Sequence, residues 1–213
     1  MRVQEIGLVV GVILAGGQSQ RMGGGDKCLR LLGGRPLLAH VIERMQPQVD
    51  RLVLNANGDA ARFAAFGLPV VADGVPDFAG PLAGILAGME WAAAHLPESH
   101  YIATAPGDGP FLPRDLVQHL AAQLIAEDAE LAVAASAGQP YPVVGLWPVR
   151  LRDELRQALT VEHEHKVDAW TGRYRRVIAE FAPEVPGSPV DPFFNANTPE
   201  QLEEAEGLLA TQR

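Results

Sequence analysis

Leu8-Val9-Val10-Gly11-Val12-Ile13-Leu14 runs directly into Ala15-Gly16-Gly17-Gln18-Ser19-Gln20-Arg21-Met22-Gly23-Gly24-Gly25-Asp26-Lys27. The first seven residues are continuously aliphatic, the pattern of a strand buried on both faces rather than one alternating between core and solvent. The next thirteen are polar and carry five glycines, so they end the strand in a loop whose backbone can approach a ligand closely. Successive N–H groups in such a loop form a concavity for an anion, and Arg21 and Lys27 add full positive charge. The loop is neither the G-x-G-x-x-G dinucleotide fingerprint nor a Walker A loop: Lys27 follows Asp26, and Cys28 stands where Ser or Thr would hold magnesium. A solvated glycine loop is the bland alternative. Lysine usage argues against it, because the chain has two lysines, Lys27 and Lys166, and otherwise uses arginine. A lysine here suits a compact cation meeting phosphate.

Working outward, apolar runs alternate with helical segments almost to the end of the chain. Strands are expected at 51–55, 70–72, 101–105, 131–135, 143–146 and 176–181. Helices are expected at 36–45, 60–66, 81–94, 114–125, 150–159 and near 167–170. A last helix is announced by the capping box Thr198-Pro199-Glu200-Gln201. This order implies an α/β fold: a single Rossmann-like domain over 1–213, with a mostly parallel sheet covered by helices on both faces.

Composition limits what such a domain does. The chain has 213 residues, 47% of them hydrophobic and 20% charged, enough apolar surface for a full core. One cysteine, Cys28, excludes a disulfide framework or a multi-thiolate zinc site and reads as a small core residue. The formal charge of −9 is uneven, +3 over residues 1–44 and −12 over the remainder. That balance argues against nucleic acid as a partner but leaves room for a small anion at the cationic N-terminal part. The apolar run 8–14 is far shorter than the roughly 20 residues of a membrane span, and a signal-peptide pattern is missing. No membrane association and a cytoplasmic location are expected.

Parallel sheets bind ligands at the carboxyl ends of their strands, so the loops after each strand hold the candidates. Asn55 and Asp73 follow the second and third strands, where each, taken alone, is a turn former before it is a ligand. Gly80-Pro81-Leu82-Ala83-Gly84 opens a helix; its glycines either admit a purine face or phosphate, or only set the turn. Asp108, in Pro106-Gly107-Asp108-Gly109-Pro110, is a hard-oxygen ligand suited to magnesium, or a turn aspartate. Asn195 and Asn197 form a carboxamide cluster beside the capping Thr198.

Together LAGGQSQRMGGGDK, GPLAG, PGDGPFLP and FFNANTPEQL resemble the molybdenum cofactor guanylyltransferase family and, more widely, nucleotidyltransferases of the nucleotide-diphospho-sugar transferase fold. The resemblance implies transfer of GMP from GTP to the phosphate of molybdopterin, releasing pyrophosphate and forming molybdopterin guanine dinucleotide, with Mg²⁺ as cofactor. It places GTP against Leu14, Ala15, Gly16, Gly17, Lys27, Asn55, Asp73 and Asp108. Asp108 is the metal ligand, and Lys27, Arg21 and Asp108 carry the catalysis. Tyr141, Pro142, Lys166, Asn195 and Asn197 fall on the acceptor side. There the chain departs from the family, with Tyr141-Pro142 where members often have His-Pro and His165-Lys166 where they tend to have Arg-Lys. Other cofactor-assembly proteins, molybdoenzyme apoproteins or chaperones are further partners by the same resemblance. A cytidylyltransferase or other transferase of the same fold, and a non-catalytic nucleotide escort, are the alternative readings.

Overall fold

The computed structural model describes residues 6–16, 26–75, 80–183 and 190–211. Among the described residues the strands are β1 (Leu8–Leu14), β2 (Leu31–Leu32), β3 (Arg35–Pro36), β4 (Arg51–Asn55), β5 (Val70–Val71), β6 (Ser99–Pro106), β7 (Leu131–Ser136), β8 (Gln139–Pro148) and β9 (Arg176–Phe181). Seven of them form one sheet, in the order β5-β4-β1-β6-β8-β7-β9. The other two, β2 and β3, make a separate hairpin. All neighbouring pairs in the large sheet are parallel except those of β8, which runs antiparallel to both β6 and β7.

Successive residues of β1 alternate between two cores because side chains along a strand point to opposite faces. Val9 and Ile13 join one layer with α1 (Leu37–Met45) and α3 (Leu116–Ala126). Val10 and Val12 join the other with α2 (Pro81–His95), α4 (Arg152–Thr160) and α5 (Val167–Thr171). A smaller cluster ties α6 (Pro199–Thr211) to the β2–β3 hairpin through Leu32, Ala196 and Ala205.

The expected elements are present with shifted bounds: Ala60–Phe66 is a 3-10 helix, and the helix expected from 150 starts at Arg152 after a 3-10 turn, Val149–Leu151. The helix expected from Pro36 starts at Leu37, because Pro36 pairs with Leu31 across the hairpin. Gly33 and Gly34 both have positive φ, 58° and 76°, the backbone of a tight two-residue hairpin turn. The strand expected at 143–146 is ten residues long, since Ala137 and Gly138, at φ 50° and 75°, fold β8 straight back along β7. The helix expected from 114 begins at Leu116.

Candidate active site

β1 lies between β4, to which the chain crosses through α1, and β6 on its other side. This is a topological switch point, where the loops leaving neighbouring strands part and open a crevice. A cavity of about 710 Å³ lies there, lined by Leu14 and Gly16 after β1, Asn55 and Asn57 after β4, and Pro106 and Asp108 after β6. Asp73, Val143, Asn195, the Gly80–Pro81 start of α2, Asp26 and Arg62 complete the lining.

A cation is bonded to the cavity wall at Asp108. Lys27 begins a 3-10 turn, Lys27–Leu29, anchored by buried Cys28. Its Nζ donates to Asp108 Oδ2 and to Asn197 Oδ1. The Lys27 and Asp108 side chains are only 13% and 18% exposed, so the pair is held out of bulk water. Asp108 is fixed by its flanks: Gly107 N–H donates to the Leu14 carbonyl at 2.9 Å. Further on, buried Arg44 donates to the Leu112 carbonyl at 2.8 Å and Gln48 to that of Pro113 at 2.9 Å. Burial, with the nearby Asp26 and Asp108 charges, pushes the Cys28 thiol up to about 12, so it stays neutral as the core residue expected.

Asn197 arrives from far along the chain, and the capping box brings it. Thr198 Oγ1 accepts from Gln201 N–H at 3.2 Å, and the Gln201 side chain reaches back to Asn197 N–H at 2.8 Å. Asn197 Nδ2 donates in turn to the Asn195 carbonyl. Asn195 Oδ1 is buried without a partner at the cavity wall.

The cavity wall also carries a held carboxylate. Asp73 Oδ1 accepts from Asn55 Nδ2 at 2.9 Å and Oδ2 from Asn57 Nδ2 at 2.7 Å, while Asp73 N–H donates to Asn57 Oδ1. Asn55 is buried and also donates to the Val71 carbonyl, so its amide hydrogens serve the protein. The close packing of α2 makes this possible: a Cβ on Gly84 would lie 2.3 Å from Asn55 Oδ1 and 2.8 Å from a Leu14 methyl. Only glycine at 84 admits Asn55 beneath the helix.

The expected site residues divide accordingly. Leu14, Gly16, Asn55, Asp73, Asp108 and Asn195 line one cavity, with Lys27 and Asn197 bonded at its edge. Gly17 and Arg21 lie outside the described residues. Ala15 has its side chain in the core and is not part of the cavity lining. Tyr141 is turned away: its hydroxyl donates to Asp191, its ring packs on Phe193 with centroids 4.8 Å apart, and neighbouring Pro142 is half-buried outside the cavity lining. Lys166 is exposed at the start of α5 and is not part of the cavity wall. Sequence reasoning misses Arg62, passes over Asp26 although it adjoins Lys27, and takes Asn57 only as part of the turn after the second strand.

Comparison with known proteins points the same way. The family model described as the MobA-like NTP transferase domain matches residues 11–180. A molybdenum cofactor guanylyltransferase of Bradyrhizobium sp. (strain ORS 278) is 57% identical over 204 residues, covering 96% of this chain and 94% of that protein. Another, from Rhodopseudomonas palustris (strain BisB5), is 58% identical over 197 residues and 92% of each chain. Among solved structures, molybdopterin-guanine dinucleotide biosynthesis protein A from Archaeoglobus fulgidus has a TM-score of 0.74 at 23% identity, over 96% of this chain and 100% of that one. A Mycobacterium tuberculosis protein solved in complex with manganese has a TM-score of 0.63 at 19% identity, over 94% and 98%. These two structures share the fold, and the sequence matches go further: the chain belongs to the MobA-like NTP transferase family.

Proposed function

We propose that this nucleotidyltransferase transfers GMP from GTP to the terminal phosphate of molybdopterin, releasing pyrophosphate and forming molybdopterin guanine dinucleotide. The observation that carries the reading is a single cavity whose wall holds both Asp108, bonded to the Lys27 ammonium, and the amide-held carboxylate of Asp73. Guanine presents two adjacent donors, N1–H and N2–H, which match the paired oxygens of Asp73. Cytosine offers acceptors at N3 and O2, which would face those oxygens unsatisfied. A site with buried polar groups rejects the mismatched base because its own partners are lost.

The residues around Lys27 and Asp108 fit a divalent cation of the magnesium type. Asp108 Oδ2, Asn197 Oδ1 and the orphaned Asn195 Oδ1 are hard oxygens. Among the described residues no group of three or more His, Cys, Asp or Glu could hold a metal. The donors therefore suit an ion that keeps waters and substrate oxygens in its shell, with Asp108 as its carboxylate. When bound, Mg²⁺ neutralises phosphate charge and draws electrons from the bridging oxygen. The chain's own part is positioning and fixed charge, the terms that dominate phosphoryl transfer. Lys27 places a full positive charge where the leaving pyrophosphate gains negative charge, and the N-terminus of α2 points backbone dipoles into the same cavity. Leu14 and Gly16 confine the nucleotide from the β1 side. Arg21 and Gly17 belong to the same loop and are assigned to it by sequence. Of the acceptor-side residues, Asn195 and Asn197 reach the cavity edge, while Tyr141, Pro142 and Lys166 lie outside its lining. GTP supply makes the cytoplasm the place of action; no helix of the described residues is long and apolar enough to cross a membrane.

Pyrophosphate release from GTP and from CTP, with and without molybdopterin and across a Mg²⁺ titration, tests this. GTP should be preferred by more than about 100-fold in kcat/KM, about 2.7 kcal/mol at 1.36 kcal/mol per decade, and turnover should require both acceptor and cation. Equal use of CTP would overturn the base assignment, and nucleotide binding without turnover would make the chain an escort.

A further inference from the structure

Asp26 stands where a capping aspartate would, directly before the Lys27–Leu29 turn, yet its carboxylate makes no capping bond. It accepts from Arg62 Nε at 2.5 Å, across 36 residues of sequence. The same guanidinium donates from Nη2 to the Asn57 carbonyl at 2.6 Å and from Nη1 to the Asp59 carbonyl. It also lies over the ring of buried Phe63, 4.5 Å from the centroid. A planar group with three bonded edges and one stacked face is a rigid strut, a geometry that an ammonium cannot reproduce.

This strut connects two polar groups of the site. Asn57, whose carbonyl takes Nη2, also holds Asp73 through its side chain. Asp26, which takes Nε, adjoins the residue whose ammonium reaches Asp108. Both Arg62 and Asp26 line the cavity, 27% and 18% exposed, so the pair is partly withdrawn from water.

We propose that Arg62 is a positioning residue of nucleotide transfer: it anchors Asp26, and with it the backbone turn carrying Lys27, and it neutralises Asp26 in front of the incoming triphosphate. This rests on the guanylyl-transfer reading above. Its two effects are separable. Loss of the anchor lets Lys27 drift, which lowers kcat, since a misplacement of about 1 Å costs on the order of 100-fold. Loss of the charge leaves a bare carboxylate facing phosphates where screening is weaker than in bulk water, which raises KM for GTP.

Four variants in the pyrophosphate-release assay test this, with GTP binding by calorimetry and thermal midpoints measured alongside. Arg62→Ala should raise KM for GTP about tenfold and lower kcat about 10- to 100-fold, with the thermal midpoint within a few degrees of wild type. Asp26→Ala should lower kcat while leaving KM near wild type. The double variant Arg62→Ala/Asp26→Ala should regain KM and keep the low kcat, a recovery that a merely structural role would not give. Arg62→Lys should keep KM, because charge remains, with an intermediate kcat. Wild-type kinetics in Arg62→Ala, or a double variant whose KM stays high, would overturn the proposal. Should Arg62→Ala not fold, Asp26→Ala decides: reduced kcat in a folded protein supports the anchor, and unchanged kcat removes it. A wild-type protein that neither binds GTP nor releases pyrophosphate sinks the underlying reading, whereas an active wild type with insensitive variants sinks only the role of Arg62.

Discussion

The β5-β4-β1-β6 half of the sheet and the β8-β7-β9 half treat their polar side chains differently. On the first, strand after strand delivers a side chain to one cavity: Asn55 from β4, Asp108 from beyond β6, Lys27 from the loop that leaves β1. All these strands are parallel, so their carboxyl ends share one edge and the loops leaving them converge. On the second, β8 is reversed, and its first residues, not its last, reach that edge. Tyr141 arrives there but packs sideways onto Phe193 and Asp191. Asp191 Oδ1 also accepts from Phe193 N–H at 2.8 Å, so this half braces the segment leading to Asn195 and Asn197. One half presents chemistry, and the other steadies a loop that returns to it.

Variants that cut the presenting half should have the largest effects. Asp108→Asn keeps the volume but removes the anionic oxygen, and kcat should fall by about 10³-fold or more. Loss of Mg²⁺ dependence in a titration, with an unchanged circular dichroism spectrum, checks it; near-normal turnover removes Asp108 from the reaction. Lys27→Ala comes next, with a loss of about 2–4 kcal/mol of transition-state stabilisation. Lys27→Arg should rescue poorly, because a branched guanidinium does not fit where the ammonium meets both Asp108 and Asn197. Full activity of the arginine variant would show that only charge matters.

Gly84→Ala sharpens the comparison from the packing side. In an unobstructed helix that change gains about 0.4–1 kcal/mol. Here the new methyl would meet Asn55 and Leu14, and a loss of about 1–3 kcal/mol is expected. Denaturant unfolding measures it, and weakened GTP binding should accompany it as Asn55 releases Asp73.

The smallest effect belongs to the bracing half. Burial, and then the bond to Asp191, push the Tyr141 hydroxyl from 10.0 up to about 12. The unfolded chain releases this proton near 10.0 and the folded one holds it to about 12, so its contribution is complete below pH 10 and is lost as pH rises toward 12. Tyr141→Phe should therefore flatten the fall of the thermal midpoint across that window while GTP kinetics change little. Tyr174, held up to about 12 by burial and Glu154, supplies a remaining slope of the same sign. A large drop in kcat for Tyr141→Phe would return this residue to the acceptor site.

Much of the site is legible in the sequence because its residues sit in glycine- and proline-framed loops directly after strands, where local pattern and function coincide. Lys27 and Asp108 stand out in that way, whereas Asn55 and Asp73 read locally as turn residues and are reached mainly through the family resemblance. Arg62 does not stand out, because it lies inside a short helical stretch, Ala60–Phe66, whose sequence gives no sign of the Asp26 carboxylate brought beside it. Lys166 shows the converse: a rare lysine in a motif-like position, left by the fold on an exposed helix start.

Local order of elements, the burial of β1 on both faces and the capping of α6 follow from the sequence alone, since each depends on periodicity or on neighbours a few residues away. The capping box even foretells how Asn197 is held, though not against what. The reversal of β8 hangs on a two-residue Ala137-Gly138 turn that ordinary composition does not distinguish. Which polar groups meet was decided only by the tertiary structure. Asp26 with Arg62, Lys27 with Asn197, and Asn55 beneath Gly84 are partners across 36, 170 and 29 positions. Such pairings are fixed by strand order and helix packing, and no local propensity encodes them.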